Sequence, residues 1–384
     1  PAAQDTSGRP MAPPPPPRPA AQDTSGQPMP TRRDAMAAAV GGLAAGMGGG
    51  PAAQDTSGRP MTPARRIPPI TPGFGPDLAA PIKATPGLTP EEAALERSSQ
   101  EYARANYPKL REQYLSKPDN AKYDPDTGEL IQVTINTDEW RDLFPGYTGP
   151  NSGVVHNAAS WANKQLRREM LEHMKGKGNN TMLVMGGGGG SGKGTALGRM
   201  AEKDEFPLIM DQVTDSAPEL RALQAEAAAP GRSGQPGMAN AYIFVDRPPA
   251  AALGGVVQRA LNARKRGDPA RTVNLALAAH ANLAARAAAL EHVRANPGDP
   301  NNQIWDGQRG DWVPPDEQIP FLERRLAEDR EAFSRESQTL ELQTALRSKF
   351  GAIDPDIAEG LLGKEWWPRI LRGEAQDPSI GPGY

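Results

Sequence analysis

MLVMGGGGGSGKGT, residues 182–195, is the stretch that decides the fold class of this chain. Met182–Met185 is a short apolar run of the kind that forms a buried parallel strand, and a glycine turn follows at once. Gly192, Lys193 and Thr195 then open a segment of helical character. Gly187, Gly192 and Lys193 fit the spacing G-x-x-x-x-G-K of a phosphate-binding loop. Glycines let successive N–H groups point inward around a phosphate without Cβ clashes, and the lysine can reach the β- and γ-phosphates. The expected nucleotide cradle is therefore Gly187, Gly188, Gly189, Gly190, Ser191, Gly192, Lys193, Gly194 and Thr195. A flexible glycine linker is the bland alternative. A linker has no need of an apolar strand before it or of a correctly spaced lysine within it.

One position departs from the usual motif. Gly194 stands where Ser or Thr normally touches magnesium, and Thr195 comes one residue later. That K-G-T order resembles adenylate-kinase-type loops, and the resemblance makes Thr195 the expected hydroxyl beside Mg2+.

Composition bounds the rest. Apolar residues make up 37% of the chain and aromatic residues 5%, while glycine and proline number 41 each, so part of the chain is expected not to pack. A net charge of −3 gives no global pull toward nucleic acid or acidic membranes. The absence of cysteine excludes disulfides and thiolate metal sites, and nothing argues for secretion. No apolar stretch approaches a membrane span, so the expected location is cytoplasmic or virion-associated. The chain opens on Pro1 without an initiator methionine, as a processed product or an excerpt of a longer protein would.

An eleven-residue unit recurs at Pro1–Met11, Pro19–Met29 and Pro51–Met61, with a polyproline run at Pro13–Pro17 between copies. Its apolar surface is too small to offset ordering entropy, so residues 1–85 are expected to be a disordered tail and not a solenoid. Order should begin at a helix capped by Thr89, with Glu91 and Glu92 in its first turn, running to about Ser116. Strands are expected at Leu130–Ile135, Thr181–Met185, Pro207–Met210 and Ala241–Val245. Helices are expected at Ala158–Lys175, Thr195–Glu202, Ser216–Ala229, Ala250–Lys265 and Leu275–Ala295. Gln303–Trp305 and Asp311–Val313 suggest a small hairpin, with C-terminal helices at Pro315–Lys349 and Pro355–Arg372. Trp305, Trp312, Trp366 and Trp367 are expected to pack those helices against the core. Short apolar strands alternating with helices mean an α/β fold, a mainly parallel sheet covered on both faces.

Several acids and cations are placed where phosphoryl chemistry would use them. Asp138 follows the strand that ends at Ile135, where a carboxylate can orient an acceptor hydroxyl or take its proton; it could equally cap a helix starting at Glu139. Arg141 could contact a substrate phosphate or pair with an acid on its own helix. Asp211 ends the strand at Met210, the position of an acid that holds magnesium, with Asp215 as a second candidate and surface loop acids as the bland reading. Asp246 reads as a turn residue before Arg247-Pro248-Pro249. Arg259, Arg264, Lys265, Arg266 and Arg271 crowd a span with only Asp268 as counter-charge, acceptable if phosphates neutralise them. The lack of interleaved aromatics argues against nucleic acid there.

From Asp138 onward the chain resembles the zeta-toxin family of P-loop kinases, which phosphorylate UDP-N-acetylglucosamine. The resemblance rests on INTDEWRDLFPGY (Ile135–Tyr147) with HNAASWANKQL from His156, on the phosphate loop, and on VVQRALNARKRGDPARTVNLALAAH (Val256–His280). It covers about residues 130–310 and implies a three-layer P-loop kinase fold, Asp138 and Lys193 in catalysis, and Arg259 and Arg271 as lid arginines bracketing the γ-phosphate. By chain order Asp211 matches the family's acid at the end of the next strand, which is Glu there, and so joins Thr195 as an expected Mg2+ residue; the resemblance further implies ATP or GTP as donor and UDP-N-acetylglucosamine or a similar acceptor. An antitoxin is an implied partner. In that family the phosphate loop precedes the Asp-bearing strand, whereas here Asp138 precedes the loop, so the chain looks permuted. The expected organisation is a tail at 1–85, a kinase domain at 86–315 and a helical extension at 316–384. A nucleotide or nucleoside kinase is the alternative within this class. A structural component of a phage virion or mobile-element polyprotein, carrying a vestigial loop, is the alternative outside it.

Overall fold

The run at Met182 forms the centre of a sheet in the computed structural model, which describes residues 65–70, 73, 77–149, 151–212, 214–267, 273 and 275–333. A first edge strand, β1 (Ala121–Tyr123), pairs antiparallel with β2 (Leu130–Ile135). The central strand β3 (Thr181–Gly186) lies parallel between β4 (Leu208–Asp211) and β5 (Ala239–Asp246). Outside these, β2 runs parallel to β4 and β6 (Asn302–Asp306) runs parallel to β5. The far edge is β7 (Asp311–Trp312), antiparallel to β6, giving the order β1-β2-β4-β3-β5-β6-β7. The chain is thus α/β with a mainly parallel, seven-stranded sheet. The small hairpin expected at Gln303–Trp305 and Asp311–Val313 forms as β6 and β7, and it joins this sheet because β6 adds to β5 before turning back. At three residues, β1 is too short to show an alternating pattern in the sequence.

Side chains alternate across the strands and build two separate cores. Val133, Ile135, Val184, Met210 and Phe244 face one side, where they meet α1 (Pro90–Ser116), α3 (His156–Met174), α5 (Ala217–Ala228), α7 (Leu275–Ala295) and α8 (Gln318–Phe333). Leu183, Met185, Ile209 and Ile243 face the other, where Ala196 and Leu197 of α4 (Lys193–Arg199) and Met200 cover them. Each such buried side chain contributes about 1.5–3 kcal/mol. Trp305 and Trp312 meet edge to face at 5.0 Å in this second core, whereas Phe321 and Leu322 of α8 belong to the first. They therefore do not seat α8. Trp366, Trp367 and the Pro355–Arg372 segment lie outside the described residues.

The N-terminal helix starts as its sequence dictates. The Thr89 side chain accepts from the Glu92 N–H and the Glu92 carboxylate accepts from the Thr89 N–H, a complete capping box. The chain before it is more engaged than its composition suggests. Ile67, Ile70, Ala80 and Ile82 pack on the core, and Arg111 donates to the Pro68 carbonyl at 2.7 Å. Residues 65–70 and 77–85 are thus part of the folded body, although they fall within the stretch expected to be tail. The three repeats lie outside the described residues.

A buried charge cluster holds α1 to α3. Arg111 and Glu169 form a two-pronged ion pair, and burial raises the Glu169 carboxyl against the pull of Arg111. Nearby, Lys177 Nζ lies 3.0 Å from His173 Nε2. The ammonium donates, so that ring nitrogen must keep its lone pair and the imidazole must be neutral. Burial, then Lys177 and Arg111, push the His173 pKa down from 6.5 to about 4. Between those values the unfolded chain binds the proton that the folded chain refuses, so this contribution is full above pH 6.5 and fades as pH falls toward 4. Thermal melts across that window should show a shallower acid limb for His173→Gln than for the parent. An unchanged limb would mean His173 titrates normally.

Candidate active site

Parallel strands deliver their C-terminal ends to one rim, and the candidate residues gather there. Ile135 is level with Met210 in the β2–β4 ladder, so Asn136 and Asp211, one residue further along, face each other. Asn136 Nδ2 donates to Asp211 Oδ2 at 3.1 Å. Lys193 Nζ reaches the same carboxylate at 3.9 Å and donates to the carbonyls of Gly187 at 2.9 Å and Gly188 at 3.4 Å. The glycine-loop lysine, the strand-end acid and the end of the strand before Asp138 thus form one connected line.

Asp138 continues that line. The five-residue α2 (Thr137–Arg141) is capped by Asn136, whose Oδ1 accepts from the Asp138 N–H at 2.8 Å. The helix therefore starts two residues before Glu139, and Asp138 is not its cap. Its Oδ1 pairs with Arg141 Nη1 at 3.1 Å, and Arg141 Nη2 lies 2.6 Å from His156 Nδ1. So short a helix has no stability of its own. Trp140 fixes it: its ring is fully buried and stacks on Tyr114 at 4.5 Å and on Tyr107 at 6.3 Å, while its Nε1–H donates to Asn163. Tyr114 adds a hinge pin, accepting from the Asn136 N–H at 2.9 Å.

The glycine loop is pressed between elements, not draped over them. A Cβ on Gly188 would fall 2.3 Å from Asn282 Cγ, and one on Gly190 would fall 2.0 Å from the Ala252 carbonyl oxygen. Gly190 also has φ +76, a conformation other residues rarely adopt. Gly189 differs: its nearest neighbours would stand at 3.9 Å, and its φ is not in the left-handed region. Ser191 is buried, and its hydroxyl has no hydrogen-bond partner among the described residues. Lys193 is partly buried, while Gly194 and Thr195 are exposed at the start of α4.

Arg259 sits on α6 (Pro249–Arg266), in an open groove of about 600 Å³ shared with Arg247, Gln258, Asn262 and Arg266. Arg247 joins this groove to the loop, donating to the Gly190 carbonyl at 3.4 Å. Arg271 lies outside the described residues, as does the side chain of His280. Asp246 is not a turn residue. It is fully buried, receives Arg286 Nε at 2.6 Å and faces Arg325 Nε at 3.4 Å. Burial raises its carboxyl, with Arg286 and Arg325 opposing. Asp215 is exposed. Sequence reading missed Asn136, Trp140, Arg247 and Asn282. Only Asn136 left a local sign, an Asn directly after a strand and before Thr-Asp-Glu.

Among the described residues no group of three or more His, Cys, Asp or Glu could hold a metal ion. Magnesium does not require one, since it binds through one or two carboxylates with substrate phosphates and water. A single strand-end carboxylate beside the phosphate loop fits that habit. No helix among the described residues is long and apolar enough to cross a membrane. No family model matches the chain, and no match was found among curated proteins.

The loop's glycines should not be equivalent. In nucleotide-binding titrations, Gly188→Ala and Gly190→Ala should each weaken ATP binding at least tenfold, while Gly189→Ala stays within about threefold, an order set by the forced contacts. Equal losses at all three would contradict the packed-loop geometry.

Proposed function

We propose that this chain is a P-loop phosphotransferase that moves the γ-phosphoryl group of ATP or GTP to a hydroxyl of a small phosphorylated acceptor, as its resemblance to the zeta-toxin kinases implies. The observation that carries the reading is the connected line Lys193–Asp211–Asn136–Asp138 at the strand ends. It supports the reading because it joins the proposed phosphate cation and the proposed magnesium acid to the backbone N–H of Asp138, whose carboxylate is the proposed base, even though Asp138 precedes the loop in sequence.

The roles follow from the chemistry. The acceptor oxygen attacks the γ-phosphorus, the bond to the β,γ-bridging oxygen breaks, and the acceptor's proton passes to the Asp138 carboxylate. Arg141, already paired to Asp138, keeps that carboxylate oriented and is itself held by His156. Lys193 would exchange its carbonyl partners for β- and γ-phosphate oxygens. Arg259, from the groove beside Gly190, would offset charge on the transferring group, with Arg271 as its expected partner. Thr195 and Asp211 are the residues that would hold Mg2+, which supplies charge neutralisation on the phosphates. A nucleotide sugar such as UDP-N-acetylglucosamine is the proposed acceptor. A nucleotide or nucleoside acceptor, or an inert passenger domain, separates from it in the same assay.

The purified full chain, given γ-labelled ATP, magnesium and a panel of nucleotide sugars, nucleosides and nucleotides, should transfer label to a nucleotide sugar. Lys193→Ala should lower turnover by on the order of 100-fold or more, the usual loss for a transition-state contact of about 3 kcal/mol. Asp138→Asn should lower kcat far more than it raises the KM for ATP, because the carboxylate serves the acceptor. Unchanged turnover in Lys193→Ala would mean that the loop does not hold a reacting phosphate.

A further inference from the structure

We infer that Asn282, on α7, is a positioning residue that sets the shape of the phosphate loop and thereby the affinity for nucleotide. This rests on the nucleotide-binding reading above and adds a residue that the loop motif does not contain. Asn282 is 5% exposed, and its side-chain amide donates to the Gly189 carbonyl at 3.0 Å and to the Ala278 carbonyl at 2.7 Å. Both amide hydrogens are committed.

The consequence comes from peptide geometry. The C=O of one residue and the N–H of the next lie in one plane and point in opposite directions. Holding the Gly189 carbonyl against α7 therefore turns the Gly190 N–H away from α7. A glycine peptide has little intrinsic resistance to flipping, so an external hold matters more here than it would elsewhere. Gly188 lies so close to Asn282 that no side chain fits between them, which leaves the loop little room to shift along the helix.

The helix carrying Asn282 is itself anchored. Four residues on, Arg286 donates to Asp246 Oδ1 at 2.6 Å and to the Arg247 carbonyl at 3.1 Å, at the end of the strand next to β3. Asn282 and Arg286 share a helix face, so one face of α7 grips both strand ends. Donors fixed before the ligand arrives need no reorganisation when it binds, which is how such a hold becomes affinity.

The test uses the full chain, with magnesium and the non-hydrolysable analogue AMPPNP as probe. Asn282→Leu keeps the side chain's approximate volume and removes the donor; Asn282→Asp keeps its shape and places an acceptor against the Gly189 carbonyl. Calorimetric titration should show AMPPNP binding weakened about tenfold in Asn282→Leu, the loss of one useful hydrogen bond, and at least as much in Asn282→Asp. The KM for ATP should rise by a similar factor, with kcat falling less and the parent's melting temperature largely kept. Parent-like affinity in both variants would overturn the inference and leave the nucleotide reading intact. So would a matched fall in kcat, affinity and melting temperature, which marks a general structural role. Failure of the parent chain itself to bind AMPPNP would overturn both.

Discussion

Five strands pointing the same way must deliver all their loops to one edge, and the candidate site depends on that constraint. The ladder registers place Asn136 opposite Asp211, and Asp211 level with Met185, just before the glycine loop. Chain order then matters little. The strand leading to Asp138 comes before the glycine loop in sequence and lies beyond β4 in the sheet, yet its end meets that loop through a single carboxylate. A permuted connection keeps the same rim as long as the strand enters parallel and in register.

The rim is held rigid from two sides. On one, the Tyr107–Trp140–Tyr114 stack pins a helix too short to persist alone, and with it Asp138 and Arg141. On the other, α6 and α7 press the glycine loop at Gly190 and Gly188. Behind it Asp246 and Asp306 face Arg286 and Arg325, and Arg325 reaches on to Glu328. Removing one member would leave a buried charge uncompensated, at a cost of about 3–5 kcal/mol. That arrangement explains why Asp246, which looks like a turn acid in the sequence, is buried away from solvent.

Much of this was legible in the chain. The apolar run before the glycines, the Thr89–Glu92 capping box and the alternation of strands with helices announce the α/β architecture through local physics. Leu275–Ala295 was readable to its ends because its alanine-rich sequence is helical throughout. Contacts between distant segments were not legible. Nothing near residue 282 shows that its amide will meet Gly189, and nothing near Trp305 shows that it will face α4 and not α8. The packing of Ile67, Ile70 and Ile82 was hidden by prolines around them, which argue locally for an open tail and are satisfied instead by tertiary contacts. Asp138 lies in the short helix that follows β2, and Asn136, two residues earlier, performs the capping for which an Asp at this point in the sequence is equally suited.

On the proposed reading, the glycine loop and the Asp138 helix border one nucleotide-binding rim. Amide hydrogen exchange of the full chain, with and without magnesium and ATP, tests it most directly. Binding should slow exchange in peptides covering residues 187–195 and, through Asp211 and Asn136, in those covering 136–141. Protection confined to other regions, or none at saturating ATP, would contradict the account.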